Sequence, residues 1–455
     1  MLDLSPRASQ LKPSATLAIN EMVRERRAKG EDILHLGLGE SPFPVHPHVR
    51  RALCENADKK SYLPVQGIHP LREKISTFYQ RMFNLNYSPE QIIVGPGSKI
   101  LLFDALMALE GSFFLSIPSW VSYQHQASLI GKSIKYVECK AEESYLLNPK
   151  TLENAISDFD PNPTKQKILL LNYPCNPTGT SFSAAQLKEI AMVAREHNMI
   201  ILSDEIYGLI TFEGHEHHSI AEFYPEGTII TGGMSKDRSL GGFRLGVMLL
   251  PEGENALKRA ILSIGSETWS SVAAPIQYAS LAAYETDDQA ILEHMRDCAA
   301  IHAVVTQYVH HRLQQAGISC PAPQGAFYLF PDWNNYRETL EKMGIRTSIE
   351  LSKRLLDTWG LATLPGFEFG VDSTNLCIRI AIVDYDGEIA LKCFQDNRHM
   401  AKSHPEPFVN TVAPRIVQAC DQFEKFTSMI HDISKGLFIS AEVKPLAKSI
   451  AKNPN

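Results

Sequence analysis

The residues that most clearly point to chemistry are a lysine and an arginine, eight residues apart, in one stretch of the chain. Lys236 follows Ser235 and the apolar run Thr228–Thr231, and Arg244 lies in a glycine-rich turn. A lysine at the end of a buried strand can hold an aldehyde cofactor as an imine, while Ser235 and Arg244 bond a phosphate. Most lysines are solvated charges, so the case depends on matching residues elsewhere.

Two other apolar runs end in polar residues. Lys167–Asn172 predicts a buried strand, closed by a stretch rich in Asn, Pro and Gly, and Met199–Ser203 predicts a second strand that ends at Asp204. Between them, Ser183 and Gln186 have the spacing of a capping box and predict the start of a helix. Strand, helix and strand in this order predict a crossover unit of a parallel sheet.

Four residues at these strand ends are expected to converge. Ligands of parallel sheets bind outside the carboxyl ends of the strands, where Asn176, Asp204, Tyr207 and Lys236 all fall. Asn176 alone is more typical of a turn and Asp204 alone of a helix cap or a turn, but the four residues together indicate a site. Pyridoxal phosphate needs a lysine and an acidic partner for its ring nitrogen, and Asn176 and Tyr207 are suitable donors to its phenolic oxygen.

These stretches resemble motifs of a known family, the class I/II aminotransferases, which are fold-type I pyridoxal-phosphate enzymes of the aspartate aminotransferase superfamily. The matching stretches are Asn172–Gly179, Ser203–Tyr207, Ser235-Lys236 and Arg244–Gly246, and further matches run from about Leu17 to Arg379. The resemblance implies an α/β fold with a large domain, whose mixed and mostly parallel sheet is flanked by helices, and a smaller α+β domain. It implies pyridoxal 5'-phosphate as the cofactor.

The resemblance also implies roles at the cofactor. Lys236 becomes the Schiff-base lysine and proton shuttle, Asp204 the partner of the pyridine nitrogen, and Tyr207 a catalytic donor to the phenolic oxygen. The peptide bond Asn176–Pro177 is expected to be cis. Tyr62 is expected to reach the phosphate from the neighbouring subunit of a homodimer. The residues expected to bind the cofactor are Tyr62, Gly97, Ser98, Lys99, Trp120, Asn176, Asp204, Tyr207, Ser235, Lys236 and Arg244.

The phosphate expectation has an independent basis, because Gly95–Lys99 is a glycine-rich turn that opens a helical run, and helix N-termini bind anions. The resemblance also implies that Trp120 stacks on the cofactor ring, whereas its residue type alone favours an ordinary half-buried core aromatic. Gly233 stands where the family often has a hydroxyl residue, so one bond to the phosphate is expected to be missing.

The resemblance implies the residues that bind the substrate, which are Arg379 and Gly39 for the α-carboxylate, together with Asn176 and Lys99. Taken alone, Arg379 is equally consistent with a structural salt bridge. Arg379 lies in a short apolar run, and an arginine can hold a carboxylate bidentately. Lys99 stands where some bacterial aspartate-type members place a lysine for the side-chain carboxylate. The segment 263–270 contains no arginine, unlike the corresponding segment of the well-studied aspartate enzymes.

Composition limits the function classes. A chain of 455 residues exceeds one simple core, and 44% hydrophobic residues fit a globular protein. A net charge of −7 predicts no nucleic-acid partner, and no apolar run approaches the ~20 residues that span a membrane. Eight scattered cysteines fit reduced thiols, so a cytoplasmic location is expected. The tract His215–His218 has metal-binding composition, but it follows a strand and turn, and no metal is expected.

The expected domain plan has four parts: an N-terminal segment over 1–45 that packs with the small domain, a large cofactor-binding domain over 46–290, a small domain over 291–435 and a loosely ordered tail over 436–455. A long helix is predicted over about 287–315. Residues 396–410 form a polar, proline-containing insertion.

Two other functions remain open at this point. The same residues can serve a carbon–sulfur β-lyase or another eliminating enzyme, because the leaving group of the substrate decides the path. A regulatory protein that contains an aminotransferase-like half is the second alternative. The expected activity is transfer of an amino group between an L-amino acid, with an acidic donor suggested by Lys99, and a 2-oxo acid.

Overall fold

The computed structural model describes residues 3, 9, 13–162 and 164–435 of the chain. From residue 13 onward these residues form two units. The first comprises 40–303 and 324–326, and the second comprises 13–39, 304–323 and 327–435. The domain limits expected from the sequence remain a prediction, and the tail 436–455 lies outside the described residues.

Twelve strands and sixteen α-helices follow one another along the described residues. The strands are β1 Leu34–His35, β2 Ile92–Gly95, β3 Ser112–Ile117, β4 Ile134–Glu138, β5 Lys167–Asn172, β6 Met199–Asp204, β7 Thr228–Gly233, β8 Gly246–Leu249, β9 Tyr328–Leu329, β10 Leu361–Ala362, β11 Leu364–Pro365 and β12 Ile378–Ala381. The helices are α1 Ala15–Ala28, α2 Pro47–Glu55, α3 His69–Phe83, α4 Ser98–Ala108, α5 Ser122–Leu129, α6 Pro149–Phe159, α7 Ala184–Glu196, α8 Asn255–Thr268, α9 Ala274–Ala283, α10 Gln289–Gln315, α11 Arg337–Lys342, α12 Ser348–Trp359, α13 Gly387–Asp396, α14 Arg398–Ser403, α15 Pro405–Val412 and α16 Pro414–Ser434.

The first unit is built on a seven-stranded sheet in the order β2-β8-β7-β6-β5-β3-β4. The four strand pairs from β7 across to β4 are parallel. Strand β8 runs antiparallel to both of its neighbours, β2 and β7. The prediction of a mixed and mostly parallel sheet is therefore confirmed.

Alternating apolar residues of this sheet pack on its two faces. Ile230 joins one hydrophobic cluster with Phe78 of α3, whereas its neighbour Ile229 joins another with Leu101 of α4. Successive side chains of a strand point to opposite faces, so strands without polar alternation need helices on both sides. This burial explains why the three strands were readable from the sequence as continuous apolar runs.

The crossover between β5 and β6 forms as its sequence predicts. The amide of Ser183 donates to Gln186 Oε1 at 2.9 Å, and the amide of Gln186 donates to Ser183 Oγ at 3.4 Å, so both bonds of the capping box form at the start of α7. The predicted long helix is α10, and the division between the two units falls inside it, after Ala303.

The second unit contains two small sheets. Strands β1 and β10 form a parallel pair, and β12 lies between β11 and β9 in an antiparallel sheet of three. The polar segment 396–410 holds most of two short helices, α14 and α15, which are separated at His404. Pro405 occupies the first position of α15, where its missing amide hydrogen is tolerated. Among the described helices, none has the length and apolar character needed to cross a membrane.

Candidate active site

The site begins where β5, β6 and β7 end side by side. Asn172 is the register partner of Asp204, and Asp204 is the partner of Thr231. The side chain of Asn172 joins two of these strand ends, because its Nδ2 donates to the carbonyl of Asp204 at 2.9 Å and its Oδ1 accepts from the amide of Asn176 at 2.9 Å. Sheet register therefore brings Asn176 and Asp204 to one edge, as predicted.

Asp204 is a buried carboxylate with few donors. It is 2% exposed, and its Oδ2 accepts a hydrogen bond from Tyr123 Oη at 2.7 Å. Burial raises the pKa of Asp204 to about 6, whereas the hydrogen bond from Tyr123 and the positive charge of Lys236 act in the opposite direction. The ionised form of such a buried carboxylate is stabilised by a cationic partner at the same edge of the sheet.

Lys236 shares this edge. Its Nζ lies 5.9 Å from the centroid of the Tyr207 ring, and its charge acts on Asp204. Tyr207 itself is buried, at 3% exposure, while Ser235 and Lys236 are half-buried just beyond the end of β7. The structure therefore brings together the three residues to which the sequence assigns catalysis.

A cradle of donors forms where helix α4 begins. Gly97 precedes the helix with φ +93°, and a Cβ there would collide with Nη2 of Arg244. A Cβ on Gly246, in the facing strand, would collide with the backbone nitrogen of Ser98. Arg244 is held by a bond of 2.7 Å from its Nη1 to the carbonyl of Gly241. A guanidinium and helix amides at one point have the chemistry to bind an anion.

Two further predicted residues flank this cradle. Lys99 Nζ lies 4.8 Å from the centroid of the Trp120 ring. Trp120 meets the Tyr123 ring edge-on, with centroids 5.2 Å apart, so the indole is fixed beside the donor to Asp204. Desolvation and the nearby charge of Arg244 lower the pKa of the Lys99 ammonium.

Tyr62 stands apart from this set. It is 94% exposed, although a tyrosine ring is a large and partly apolar group. The first unit does not bury it.

Arg379 and Gly39 belong to the second unit. Arg379 lies on β12 and is 1% exposed, with its Nη2 donating to the carbonyl of Gly37. Its guanidinium carbon lies 4.8 Å from the Tyr328 ring centroid and 5.3 Å from that of Phe369. A Cβ on Gly39 would collide with the Tyr328 phenol. Arg379 is thus fixed by aromatic rings and by the strand-end backbone that leads to Gly39.

The predicted cis bond at Asn176–Pro177 is wrong. Among the described residues, the cis bonds are Tyr173–Pro174, three residues earlier in the same turn, and Ile117–Pro118. Because any residue–proline bond can adopt the cis form, residue types alone do not tell which of two prolines in one turn does so.

Sequence reasoning missed Tyr123, the donor to Asp204. The one local signal is its position three residues after Trp120, whose carbonyl accepts from the Tyr123 amide at 3.1 Å. It also missed Glu205, a buried carboxylate that meets His217 of the histidine tract. Within the part of the chain that the structure describes, no group of three or more His, Cys, Asp or Glu residues is arranged to hold a metal ion.

The residues at this edge fit pyridoxal 5'-phosphate. The buried Asp204 suits a protonated ring nitrogen, the cradle of Gly97, Ser98 and Arg244 suits the phosphate, and Lys236 lies at the same edge. When bound, this cofactor supplies an electrophilic carbonyl and a ring that accepts electrons.

Comparison with known proteins agrees with this geometry. The sequence profile of the family "Aminotransferase class I and II" matches residues 31–387. The chain is 35% identical over 377 residues to aspartate aminotransferase of Bacillus subtilis, a match that covers 81% of this chain and 92% of that protein. It is 31% identical to the probable aspartate/prephenate aminotransferase of Rhizobium leguminosarum, over 82% of this chain and 92% of that one.

A solved structure of aspartate aminotransferase from Thermus thermophilus with maleate superposes with a TM-score of 0.79 at 27% identity. The superposition covers 93% of this chain and all of the Thermus chain. Fold, family profile and the strand-end residues lead to the same conclusion: this chain belongs to the class I/II aminotransferase family and is a pyridoxal 5'-phosphate-dependent aminotransferase.

Proposed function

We propose that the enzyme takes the amino group of aspartate, or of a closely related dicarboxylic L-amino acid, and passes it to a 2-oxo acid. The observation that carries this proposal is Lys99, a cation 4.8 Å from the ring of Trp120 at the opening of helix α4. The names of the relatives and the maleate of the Thermus structure, which is a dicarboxylate, give further support.

The geometry of the first unit supports the proposed roles of the residues beside the cofactor. Lys236 would hold the carbonyl of the cofactor, and its Nζ, once free of the cofactor, would move the proton at the substrate Cα. Asp204 pairs with the ring nitrogen of the cofactor. Tyr123 favours the ionised form of the Asp204 carboxylate by donating a hydrogen bond of 2.7 Å to it. Asn176 and Tyr207 hold the phenolic oxygen.

The phosphate and the ring face have their own residues. Gly97, Ser98, Ser235 and Arg244 bind the phosphate, through backbone amides, a hydroxyl and the guanidinium. Trp120 covers one face of the ring. Gly233 offers no hydroxyl, so the guanidinium of Arg244 and the helix amides bear more of the phosphate binding.

Substrate recognition has its own set of proposed residues. Arg379 binds the α-carboxylate bidentately, together with the backbone of Gly39 and the side chain of Asn176. Lys99 binds the distal carboxylate of the substrate. Desolvation and the charge of Arg244 lower the pKa of the Lys99 ammonium, so a bound carboxylate stabilises its charged form.

We propose a homodimer in the cytoplasm. Tyr62, 94% exposed in the single chain, is the residue that supports the dimer, because it is the one proposed to bind the phosphate of the neighbouring subunit. All eight cysteines are free thiols, which supports a reducing compartment.

The substrate proposal is tested with Lys99→Gln, and with Lys188→Gln on the exposed face of α7 as the control. We expect kcat/KM for aspartate to fall about tenfold, because a charge-assisted bond is lost, and kcat/KM for phenylalanine to stay unchanged. An equal loss for both substrates, or none for aspartate, would contradict the role of Lys99.

An absorbance titration of the wild-type enzyme tests the donor class independently. Aspartate should convert the aldehyde form of the bound cofactor to the amine form, and a 2-oxo acid should restore it. Release of ammonia without an acceptor would instead favour the lyase.

A further inference from the structure

The histidine tract 215–218, which the proposed function does not use, buries one of its rings. The His217 side chain is 3% exposed, and its Nε2 lies 3.0 Å from Oε2 of Glu205, whose side chain is also 3% exposed. His215 is exposed, and His218 is half-buried beside Glu222, with Nδ1 3.4 Å from its Oε2. One histidine of the tract therefore has surroundings that its neighbours lack.

Glu205 gathers hydroxyl groups from three segments of the first unit. Its Oε1 accepts from Ser203 Oγ at 2.7 Å, from Ser219 Oγ at 2.7 Å and from Tyr173 Oη at 3.2 Å. With His217 on Oε2, both oxygens of this buried carboxylate are bonded. A buried charge with so complete a set of donors is expected to be rigid.

The end of β6 consequently has two different faces. Side chains of a strand alternate, so Ser203 and Glu205 lie on one face and Asp204 on the other, where Tyr123 bonds it. The face of Asp204 is the one proposed to meet the cofactor. The opposite face is the one that Glu205 and its donors hold.

His217 also packs against two aromatic rings and against the turn that follows β6. Its ring is stacked on Tyr173, with centroids 5.4 Å apart at 27°, and meets Phe83 edge-on at 5.6 Å. A Cβ on Gly208 would lie 3.0 Å from His217 Nε2, so the small residue at this position leaves room for the ring. The Gly208 amide donates to the carbonyl of Glu205 at 2.8 Å and closes the turn that carries Tyr207.

The chemistry of the pair fixes which nitrogen carries the proton. A carboxylate only accepts hydrogen bonds, so Nε2 of His217 is the donor. Its Nδ1 is buried and has no hydrogen-bond partner among the described residues. Nε2 is therefore the nitrogen through which His217 holds Glu205.

We propose that His217 and Glu205 are positioning residues, which hold the 204–207 turn so that Asp204 and Tyr207 keep the geometry needed for cofactor binding. This inference rests on the proposed roles of Asp204 and Tyr207. Neither His217 nor Glu205 contacts the cofactor in this account, since both act through the turn from the opposite face of the strand end.

Four variants test the inference. His217→Leu keeps bulk and removes the donor, while His217→Gln restores a donor at about the reach of Nε2. His215→Gln changes an exposed residue of the same tract and serves as the matched control. Glu205→Gln keeps the size and the Oε1 acceptor, and it tests the pair should His217→Leu fail to fold.

The measurements are the affinity of each apo-protein for pyridoxal 5'-phosphate, the pH midpoint of the bound chromophore and the thermal midpoint of the apo-protein. Loss of a buried, charge-assisted bond should weaken cofactor binding about tenfold or more in His217→Leu and shift the chromophore midpoint. His217→Gln should recover most of both changes, His215→Gln should match wild type, and Glu205→Gln should be intermediate.

A purely structural role has a different signature. If His217→Leu or Glu205→Gln lowers the thermal midpoint of the apo-protein but leaves cofactor affinity and the chromophore midpoint at their wild-type values, the inference is overturned. If wild-type protein forms no chromophore at all, the proposed function fails and takes the inference with it. The two failures are therefore distinguishable.

Discussion

Two buried aspartates of the first unit, Asp104 on α4 and Asp204 at the end of β6, are alike in their electrostatics. Asp104 is 0% exposed and Asp204 is 2% exposed. Burial is the main cause that raises the pKa of each carboxyl to about 6, and each accepts one bond from an aromatic side chain. Trp269 Nε1 donates to Asp104 at 2.9 Å, and Tyr123 Oη donates to Asp204 at 2.7 Å.

Their surroundings separate them. Asp204 lies at the carboxyl edge of the sheet, where the charge of Lys236 acts on it and Tyr207 is three residues away. Asp104 lies in the middle of a helix, and its Oδ1 has no hydrogen-bond partner among the described residues. A raised pKa therefore marks burial, and it is the cation and the sheet edge that mark a site.

The largest expected difference comes from removing each charge. Asp204→Asn should lower kcat/KM about a hundredfold to a thousandfold, since the proposed partner of the ring nitrogen loses its charge. It should also stabilise the apo-protein above pH 6 by about 3 kcal/mol, because a buried charge is removed. Steady-state kinetics and urea unfolding at pH 8 measure both. Activity close to wild type would mean that Asp204 is only another buried aspartate.

A smaller difference should follow from removing each aromatic donor. Tyr123→Phe should raise the pKa of Asp204, so cofactor affinity should fall about tenfold and its acid-side loss should begin at a higher pH. Trp269→Phe should destabilise the fold by about 1–3 kcal/mol and leave cofactor affinity unchanged. Cofactor titrations across pH 5–8 and urea unfolding distinguish the two variants. Similar cofactor-binding curves for both variants would contradict the claim that only Asp204 belongs to the cofactor site.

The smallest effect on activity is expected for Asp104→Asn, which keeps an acceptor for Trp269. The folded pKa of Asp104, about 6, lies above its ordinary value of 3.8, so its charged form opposes folding at neutral pH. The variant should therefore be more stable than wild type by about 3 kcal/mol above pH 6, with the gain lost as pH falls toward 4. Urea unfolding at pH 4 and pH 8 gives the two values. An equal increase in the free energy of unfolding at both pH values would show that the buried charge of Asp104 is not the cause.

The positions of the candidate site residues were largely predictable because the sequence signals that place them are local. The strands Lys167–Asn172, Met199–Asp204 and Thr228–Gly233 each contain a continuous apolar run, and parallel pairing fixes their carboxyl ends at one edge. Ser183 and Gln186 mark the intervening helix by residue type alone. The polar residues at or just after the ends of these strands, among them Asp204 and Lys236, could then be placed at that edge without knowledge of tertiary contacts.

What escaped prediction depends on contacts between distant segments. Tyr123 reaches Asp204 across 81 residues of sequence, and His217 reaches Glu205 only because the 213–219 loop folds back over the end of β6. Asp104 gives no sign in the sequence that Trp269 bonds it. The histidine tract offered a composition, but the burial of one ring out of three is decided by packing.

The central claim, that the cofactor is held at this sheet edge through Lys236, can be tested directly. Wild-type enzyme loaded with pyridoxal 5'-phosphate is reduced with borohydride, digested and analysed by mass spectrometry. The account predicts one modified peptide, with the cofactor fixed on Lys236 and absent when Lys236→Ala is treated in the same way. A label on another lysine, such as Lys99, or no label on a protein that still transfers amino groups, would contradict it.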